Sequence, residues 1–123
     1  MKNTRAKGKS DLKKRMYMWT LSLIKTIDAL PHGRSNDVIA KQVLRSATSI
    51  GANYVEAGAA SSKKDFTNFI HISLKSANET KYWLALLRDL KKIEQDKITA
   101  LLTEVEEISK ILGASLLTLK GKR

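Results

Sequence analysis

The chain has 123 residues, 42% of them hydrophobic, a net charge of +11 and no cysteine. This length is that of one domain, which can bury a core without covalent or metal cross-links. The lack of cysteine excludes disulfides, thiolate metal sites and a thiol nucleophile. With a single proline, and with β-branched residues that rarely alternate with polar ones, the composition favours helices over strands.

The positive charge is concentrated at the two ends of the chain. Residues 1–15 contain seven basic side chains and one acidic side chain, and residues 120–123 add three basic ones. The residues in between are close to neutral. Basic ends attract polyanions through phosphate contacts that do not read sequence, although a solubilising tail has the same composition.

The sequence contains no predicted membrane span or secretion signal. The longest apolar run near the N-terminus, residues 16–24, is much shorter than the roughly 20 residues that a spanning helix needs. No small-x-small cleavage site follows it. We therefore expect a cytoplasmic protein with no membrane partner.

The first predicted helix follows a basic tail. Residues 1–11 contain too little apolar surface to offset the cost of ordering, so we expect a disordered tail. A helix over about residues 11–30 ends before Pro31, because the residue preceding a proline disfavours the α region. Its apolar face has a three-four spacing: Leu12, Met16, Trp19, Leu23, Ile27 and Leu30.

The second helix is predicted over about residues 36–58, with Ser35 or Asn36 as its N-cap. Gly51 lies in the interior of this helix, where glycine costs about 1 kcal/mol relative to alanine. We therefore expect a neighbouring helix to pack closely against Gly51. The predicted core stripe is Ile39, Val43, Ala47, Ile50, Tyr54 and Ala57.

The third helix is predicted over about residues 63–92, opened by a capping box formed by Ser62 and Asp65. Its predicted inner side is Phe66, Phe69, Ile70, Ser73, Ala77, Thr80, Leu84 and Leu87.

The fourth helix is predicted over about residues 96–119, with a heptad of Ile98, Leu101, Val105, Ile108, Leu112, Ser115 and Leu119. Short connections make sequence neighbours antiparallel, so residues 12–119 predict an all-α, up-down-up-down four-helix bundle, followed by a basic tail at 120–123.

A polar stripe crosses the second and third helices, where a simple bundle would have only aliphatic residues. An unpaired buried carboxylate costs several kcal/mol, so carboxylates on such a stripe need partners. We expect a buried structural network that fixes the helix register, formed by Arg45, Asn53, Glu56 and Glu79.

No catalytic or metal-binding pattern is visible. A carboxylate-bridged dimetal site requires Glu-x-x-His pairs, and neither of the two histidines follows a glutamate by three residues. A nucleophile elbow and a Gly-rich phosphate loop are also missing from the sequence. We therefore expect no catalytic residues, no metal and no cofactor, and hence no enzyme.

A set of spaced residues in the second and third helices carries a family resemblance: Gln42, Arg45, Ser49, Ile50, Asn53, Glu56, Ala57, Gly58, Asp65, Phe66, Phe69, Ser76, Ala77 and Glu79. With these residues the chain resembles, over residues 12–118, the four-helix-bundle proteins encoded by intervening sequences of 23S ribosomal RNA genes. The resemblance implies a left-handed bundle that assembles as a homopentameric ring. A related protein, the accessory variability determinant of diversity-generating retroelements, binds nucleic acid and associates with a reverse transcriptase.

Charge and resemblance together predict a non-catalytic, oligomeric nucleic-acid-binding or scaffolding protein. It would bind RNA or DNA without sequence preference, and the resemblance implies a role as a reverse-transcriptase accessory factor. The candidate phosphate contacts lie at the starts of the first and third helices, where the helix dipole favours anions: Lys13, Lys14, Arg15, Lys63 and Lys64. The alternative is a protein-interaction adaptor without direct nucleic-acid binding, whose target is an acidic protein or a reverse transcriptase.

Overall fold

A computed structural model describes the backbone of residues 4–121 and the side chains of residues 11–121. Over residues 4–121 the chain forms four α-helices and no strand: α1 (Thr4–Asp28), α2 (Arg34–Gly58), α3 (Lys63–Asp89) and α4 (Gln95–Leu119). Both α1 and α3 pack against α2 and α4, and α2 with α3 forms the most extensive interface. The predicted all-helical fold with four helices is confirmed.

The start of α1 differs from the prediction. The helix begins at Thr4 rather than near residue 11. Arg5, Ala6 and Lys7 are strong helix formers, which favours this longer helix. Residues 1–3 of the predicted N-terminal tail, and residues 122–123 of the predicted C-terminal tail, lie outside the described residues.

The end of α3 is a Schellman motif. The Lys92 N–H donates to the Leu87 carbonyl at 2.9 Å and the Lys91 N–H donates to the Arg88 carbonyl at 3.0 Å. Lys91 takes the left-handed conformation, with φ of 56°. These bonds satisfy terminal carbonyls and end the helix at Asp89 rather than near the predicted Lys92.

Side-chain hydrogen bonds define the connections on either side of α2. The Asn36 Nδ2 donates to the Pro31 carbonyl at 3.0 Å, which ties the first turn of α2 to the preceding loop. Ser62 caps α3, because its Oγ accepts from the Asp65 N–H at 3.0 Å. The predicted N-cap of α3 is therefore confirmed.

The core is one cluster to which all four helices contribute. Most of the predicted stripe residues are at most 8% exposed, namely Leu12, Met16, Trp19, Leu23, Ile27, Ile39, Val43, Ala47, Ile50, Ala57, Ile70, Ser73, Ala77, Thr80, Leu84, Leu87, Ile98, Leu101, Val105, Ile108 and Leu112. The remaining stripe positions are half-buried at the edge of the core: Leu30, Tyr54, Phe66, Phe69, Ser115 and Leu119. Leu116 takes the buried position at the end of α4 that the heptad had placed at Ser115.

Gly51 does not mark a tight approach of α1 to α2. A Cβ placed on Gly51 would meet only the Cβ of Met16, at 3.9 Å, which is an ordinary van der Waals distance. The expectation that a neighbouring helix of the same chain explains this glycine is therefore wrong. An alanine would fit at this position.

Candidate nucleic-acid interface

The antiparallel order of the helices brings both chain ends to one end of the bundle. The first turns of α1 and α3 lie there together with the last turns of α2 and α4. Four of the five predicted phosphate contacts are exposed lysines near this end: Lys13, Lys14, Lys63 and Lys64. Lys63 and Lys64 open α3, whereas Lys13 and Lys14 lie in the third turn of α1 because that helix begins at Thr4, so the predicted contribution of the helix dipole does not apply to them. None of the four forms an ion pair within residues 11–121. We refer to this part of the molecule as the cationic end.

Lys63 and Lys64 line a shallow surface depression of about 720 Å³. Lys120, from the end of α4, and His71, from the third turn of α3, line the same depression. The first turn of α3 supplies backbone N–H groups, whose partial positive charge adds to that of the lysines. Asp65 is the acidic residue of this depression. The arrangement can hold an anion without recognising its sequence.

Lys13 and Lys14 lie on a different flank of the cationic end. They line the rim of a groove between α1 and α2, and this groove shares no residue with the depression around Lys63. The two predicted lysine pairs therefore belong to separate surfaces. A long polyanion that crosses the end of the bundle could contact both, whereas a single phosphate could not.

Arg15 is not available as a phosphate contact. Its Nε donates to Glu104 Oε2 at 2.9 Å and its Nη2 donates to Glu104 Oε1 at 2.8 Å. The Arg15 hydrogen bond holds the pKa of Glu104 below its usual value, and the same bond raises the pKa of Arg15. The prediction of a phosphate-binding role for Arg15 is corrected to a link between α1 and α4, because a bidentate carboxylate already occupies its guanidinium group.

The predicted polar network exists only in part, and its charged members are not buried. Arg45 pairs with Glu79 across α2 and α3, with side chains 59% and 37% exposed. Gln42 Oε1 accepts from the Arg45 Nη2 at 3.0 Å, and the Trp83 Nε1 donates to Glu79 Oε2 at 3.0 Å. This cluster joins the two helices at the surface rather than in the core.

Asn53 and Glu56 lie outside that cluster. The Asn53 Nδ2 donates to both the carbonyl and the Oγ of Ser49, each at 2.9 Å. Glu56 is exposed and has no ion pair or side-chain hydrogen bond within residues 11–121. The prediction that Glu56 belongs to a buried network with Arg45, Asn53 and Glu79 is wrong: Glu56 lies in solvent, where a carboxylate without a partner is far more stable than in the core.

The buried polar contacts between α2 and α3 are made by small hydroxyl side chains rather than by the four residues predicted for the network. The Thr80 and Ser46 hydroxyls hydrogen-bond each other at 2.8 Å, while the Thr80 Oγ1 also lies 2.7 Å from the Ser76 carbonyl. The Ser73 Oγ donates to the Ile50 carbonyl at 2.8 Å. The Ser76 Oγ donates to Ser49 Oγ at 2.8 Å. The three-four spacing that predicted a polar stripe on both helices includes Ser49, Ser73 and Ser76.

Within the described part of the chain, no group of three or more His, Asp or Glu side chains could hold a metal ion. His71 lies in the lysine-lined depression, whereas Glu79 pairs with Arg45. No helix within residues 4–121 has the length and apolarity needed to cross a bilayer.

Fold and surface together define a four-helix-bundle protein with a strongly cationic end and a polar seam between α2 and α3. The profile of the 23S rRNA-intervening sequence protein family matches residues 9–114. The chain belongs to this family.

A solved structure agrees with this assignment. It is a protein of unknown function from the S23 ribosomal protein family of Bacteroides thetaiotaomicron VPI-5482, which is 36% identical to this chain. The alignment covers 85% of this chain and 97% of that protein, with a TM-score of 0.79. No curated protein matches the chain.

Proposed function

We propose that this chain is a non-catalytic, oligomeric nucleic-acid-binding or scaffolding protein that holds RNA or DNA without sequence preference. The observation that carries the proposal is the set of exposed lysines that form no ion pair within residues 11–121, at the bundle end where α1 begins and α4 ends. Lys63, Lys64 and Lys120 in one depression, with Lys13 and Lys14 on the adjoining flank, form the proposed contact surface.

The distribution of charge along the bundle supports this choice. At the opposite end Lys91, Lys92 and Lys97 alternate with Asp89, Glu94 and Asp96, so that end carries little net charge. The cationic end has fewer carboxylates, and the basic residues of both termini add to its charge. A concentrated field of this kind attracts phosphate backbones and makes affinity depend on salt.

The proposed assembly is a homopentameric ring, as the family resemblance implies. Assembly repeats the cationic end in every subunit and so increases the number of phosphates that one particle can contact. The resemblance also leads us to propose a reverse transcriptase of a diversity-generating retroelement as a protein partner. Light scattering tests the subunit number, and co-precipitation from nuclease-treated samples tests the partner.

Charge reversal at the two ends of the bundle tests nucleic-acid binding. The test variant is Lys63→Glu/Lys64→Glu/Lys120→Glu, and the control is Lys91→Glu/Lys92→Glu/Lys97→Glu, which changes the net charge equally at the opposite end. Fluorescence anisotropy with unrelated RNA and DNA sequences is measured over a range of salt concentrations. We expect the logarithm of the affinity to fall linearly with the logarithm of salt, by about 0.9 per phosphate contact on duplex DNA.

The test variant should bind more weakly and with a shallower salt slope, while the control keeps most of the affinity. Equal losses in both variants would show that net charge alone, rather than the cationic end, determines binding. Affinity that does not change with salt would contradict the proposal altogether. An adaptor that does not bind nucleic acid remains the second candidate, supported by an apolar groove between α1 and α2.

A further inference from the structure

An open groove of about 610 Å³ runs between α1 and α2 on the outside of the bundle. Tyr17 and Thr20 line it from α1, and Gly51, Ala52 and Val55 line it from α2. Tyr17 is 66% exposed and Val55 is 50% exposed. The groove therefore presents apolar side chains to solvent above a floor of small residues.

The floor of the groove contains a glycine that the subunit itself does not require. A Cβ at Gly51 would fit, with only the Met16 Cβ within reach at 3.9 Å. Glycine in a helix interior nevertheless weakens the helix relative to alanine. A floor without side chains is useful when the backbone of another molecule approaches it closely.

The length of the groove matches a short helical segment. Its lining residues extend over positions 13–20 of α1 and 48–55 of α2. At 1.5 Å per residue each wall is about 10 Å long, or two helical turns. Two turns accommodate three anchors at positions i, i+3 or i+4, and i+7 of a bound amphipathic helix.

The charge at the rim indicates the polar character of the occupant. Lys13 and Lys14 are exposed on the rim and have no ion pair within residues 11–121. Tyr54, which also lines the groove, is half-buried, and this burial raises its pKa. An apolar floor beside lysines suits a ligand with an apolar face and flanking carboxylates better than it suits the polar backbone of a nucleic acid.

We propose that the groove between α1 and α2 binds an acidic amphipathic helix of a partner protein. The apolar face of that helix rests on Gly51 and Ala52 between Tyr17 and Val55, and its carboxylates face Lys13 and Lys14. This inference goes beyond nucleic-acid binding: it shares Lys13 and Lys14 with the proposed phosphate contacts, but its apolar floor has no residue in common with the depression around Lys63.

The experiment uses a defined probe, since the partner is not identified. A fluorescein-labelled peptide of roughly four helical turns carries Leu at i, i+3, i+7 and i+10, and Glu elsewhere on its polar face. A second peptide has Lys in place of Glu. Anisotropy measures the affinity of each for the full-length chain, and amide chemical shifts of the ¹⁵N-labelled chain locate the contact.

Val55→Glu is the main variant, and Val38→Glu is its matched control. Both valines are exposed on α2, Val55 by 50% and Val38 by 60%, but only Val55 lines the groove. Gly51→Leu, which fills the floor, is compared with Gly113→Leu on α4, where a Cβ meets nothing within 4 Å. Circular dichroism confirms that each variant folds.

We expect the acidic peptide to bind, to shift the amides of Gly51 and Ala52, and to lose about tenfold or more in affinity with Val55→Glu and Gly51→Leu. Both controls and Lys63→Glu should retain binding, and Lys13→Glu/Lys14→Glu should weaken it. Equal binding of the Lys peptide, or shifts confined to other surfaces, would overturn the proposal.

Two other occupants give distinct results that also overturn it. A drop in particle mass for Val55→Glu but not for Val38→Glu, measured by light scattering, would make the groove a contact between copies of this chain. RNA that shifts the groove amides while the acidic peptide binds nowhere would assign the groove to nucleic acid. Failure of the peptide to bind leaves the RNA titrations of the cationic end unaffected, so the two proposals fail independently.

Discussion

Arg15 on α1 and Glu104 on α4 form a two-pronged ion pair, with N–O distances of 2.9 and 2.8 Å. It bridges the least extensive of the helix–helix interfaces within residues 4–121. Nearby, the Trp19 Nε1 donates to the Leu101 carbonyl at 3.0 Å, which is a second polar link between the same helices. Two polar links therefore span the smallest of these interfaces.

Glu104→Gln should destabilise the fold at neutral pH and have little effect in acid. Arg15 lowers the pKa of the folded-state Glu104, so the stabilisation is present above the unfolded-state pKa and is lost as pH falls through the folded-state pKa. The side chains are 38% and 32% exposed, and solvent screening limits the effect at pH 7 to about 0.5–1 kcal/mol.

Urea unfolding of the two proteins between neutral pH and about pH 3 measures this difference. The control is Glu56→Gln, because Glu56 is exposed and has no ion pair or side-chain hydrogen bond within residues 11–121; it should change stability little. A difference between wild type and Glu104→Gln that stays constant as the pH falls would contradict the assigned role of the ion pair.

The hydrogen bond between the Thr80 and Ser46 hydroxyls is fully buried. We therefore expect substitutions of these two residues to have strongly coupled effects on the free energy of unfolding. Thr80→Val keeps the shape of the side chain but leaves Ser46 with only a 3.4 Å contact to the Val43 carbonyl. We expect the single variant to cost about 1–3 kcal/mol, because a buried hydroxyl loses its best partner.

Thr80→Val/Ser46→Ala should cost clearly less than the sum of the two single variants, since neither partner is then left unsatisfied. Thermal or urea unfolding of wild type, the two single variants and the double variant completes this double-mutant cycle. Thr26→Val is the control, because the Thr26 hydroxyl bonds only to the Ser22 carbonyl of its own helix, in solvent. Additive costs would show that the two hydroxyls do not stabilise one another.

Lys91→Gly should stabilise the protein by about 1 kcal/mol. Lys91 takes φ of 56° at the end of α3, where a side chain is strained and glycine is not. At the end of α4 the corresponding position is held by Gly121, with φ of 69° and a 3.1 Å bond to the Thr118 carbonyl. The same left-handed position after a helix is therefore occupied by lysine at the end of α3 and by glycine at the end of α4.

The expected gain is measured as a rise in the midpoint of urea unfolding. Lys92→Gly serves as the control, because Lys92 does not take a positive φ and glycine there only adds freedom to the unfolded chain. A lower midpoint for Lys91→Gly than for wild type would show that the lysine side chain contributes more than its strained backbone costs.

Gly51→Ala should raise the free energy of unfolding by about 0.5–1 kcal/mol. The new Cβ has room, and alanine favours the helix. Gly113→Ala should give a similar gain, because nothing lies within 4 Å of its Cβ. A loss of stability in Gly51→Ala alone would indicate that α1 and α2 approach more closely than the 3.9 Å contact implies.

Helix periodicity is a local property, and for this reason the sequence predicts the four helices and their core stripes. Ile39, Val43 and Ile50 lie at three-four spacings and are buried as expected. The partners of charged residues depend instead on the rotation and register of whole helices. Arg15 and Glu104 are 89 positions apart in sequence, so no local pattern indicates that they meet.

The wrong prediction for Glu56 concerns two charged residues of the same helix. Arg45 and Glu56 share α2, and eleven residues of helix separate them by about 16 Å along the axis, which is too far for a direct pair. Axial distance alone rules out that contact. It does not identify Glu79 on α3 as the actual partner of Arg45, because this depends on how α2 and α3 align.

The helix α1 begins, and α4 ends, at the same end of the bundle. The position of a tag or label therefore affects binding assays of the cationic end. An acidic tag appended at the C-terminus would lie close in sequence to Lys120, and its carboxylates would compete with the phosphates being assayed. Immobilisation through a cysteine introduced at Gly33, in the loop at the far end, keeps that surface open.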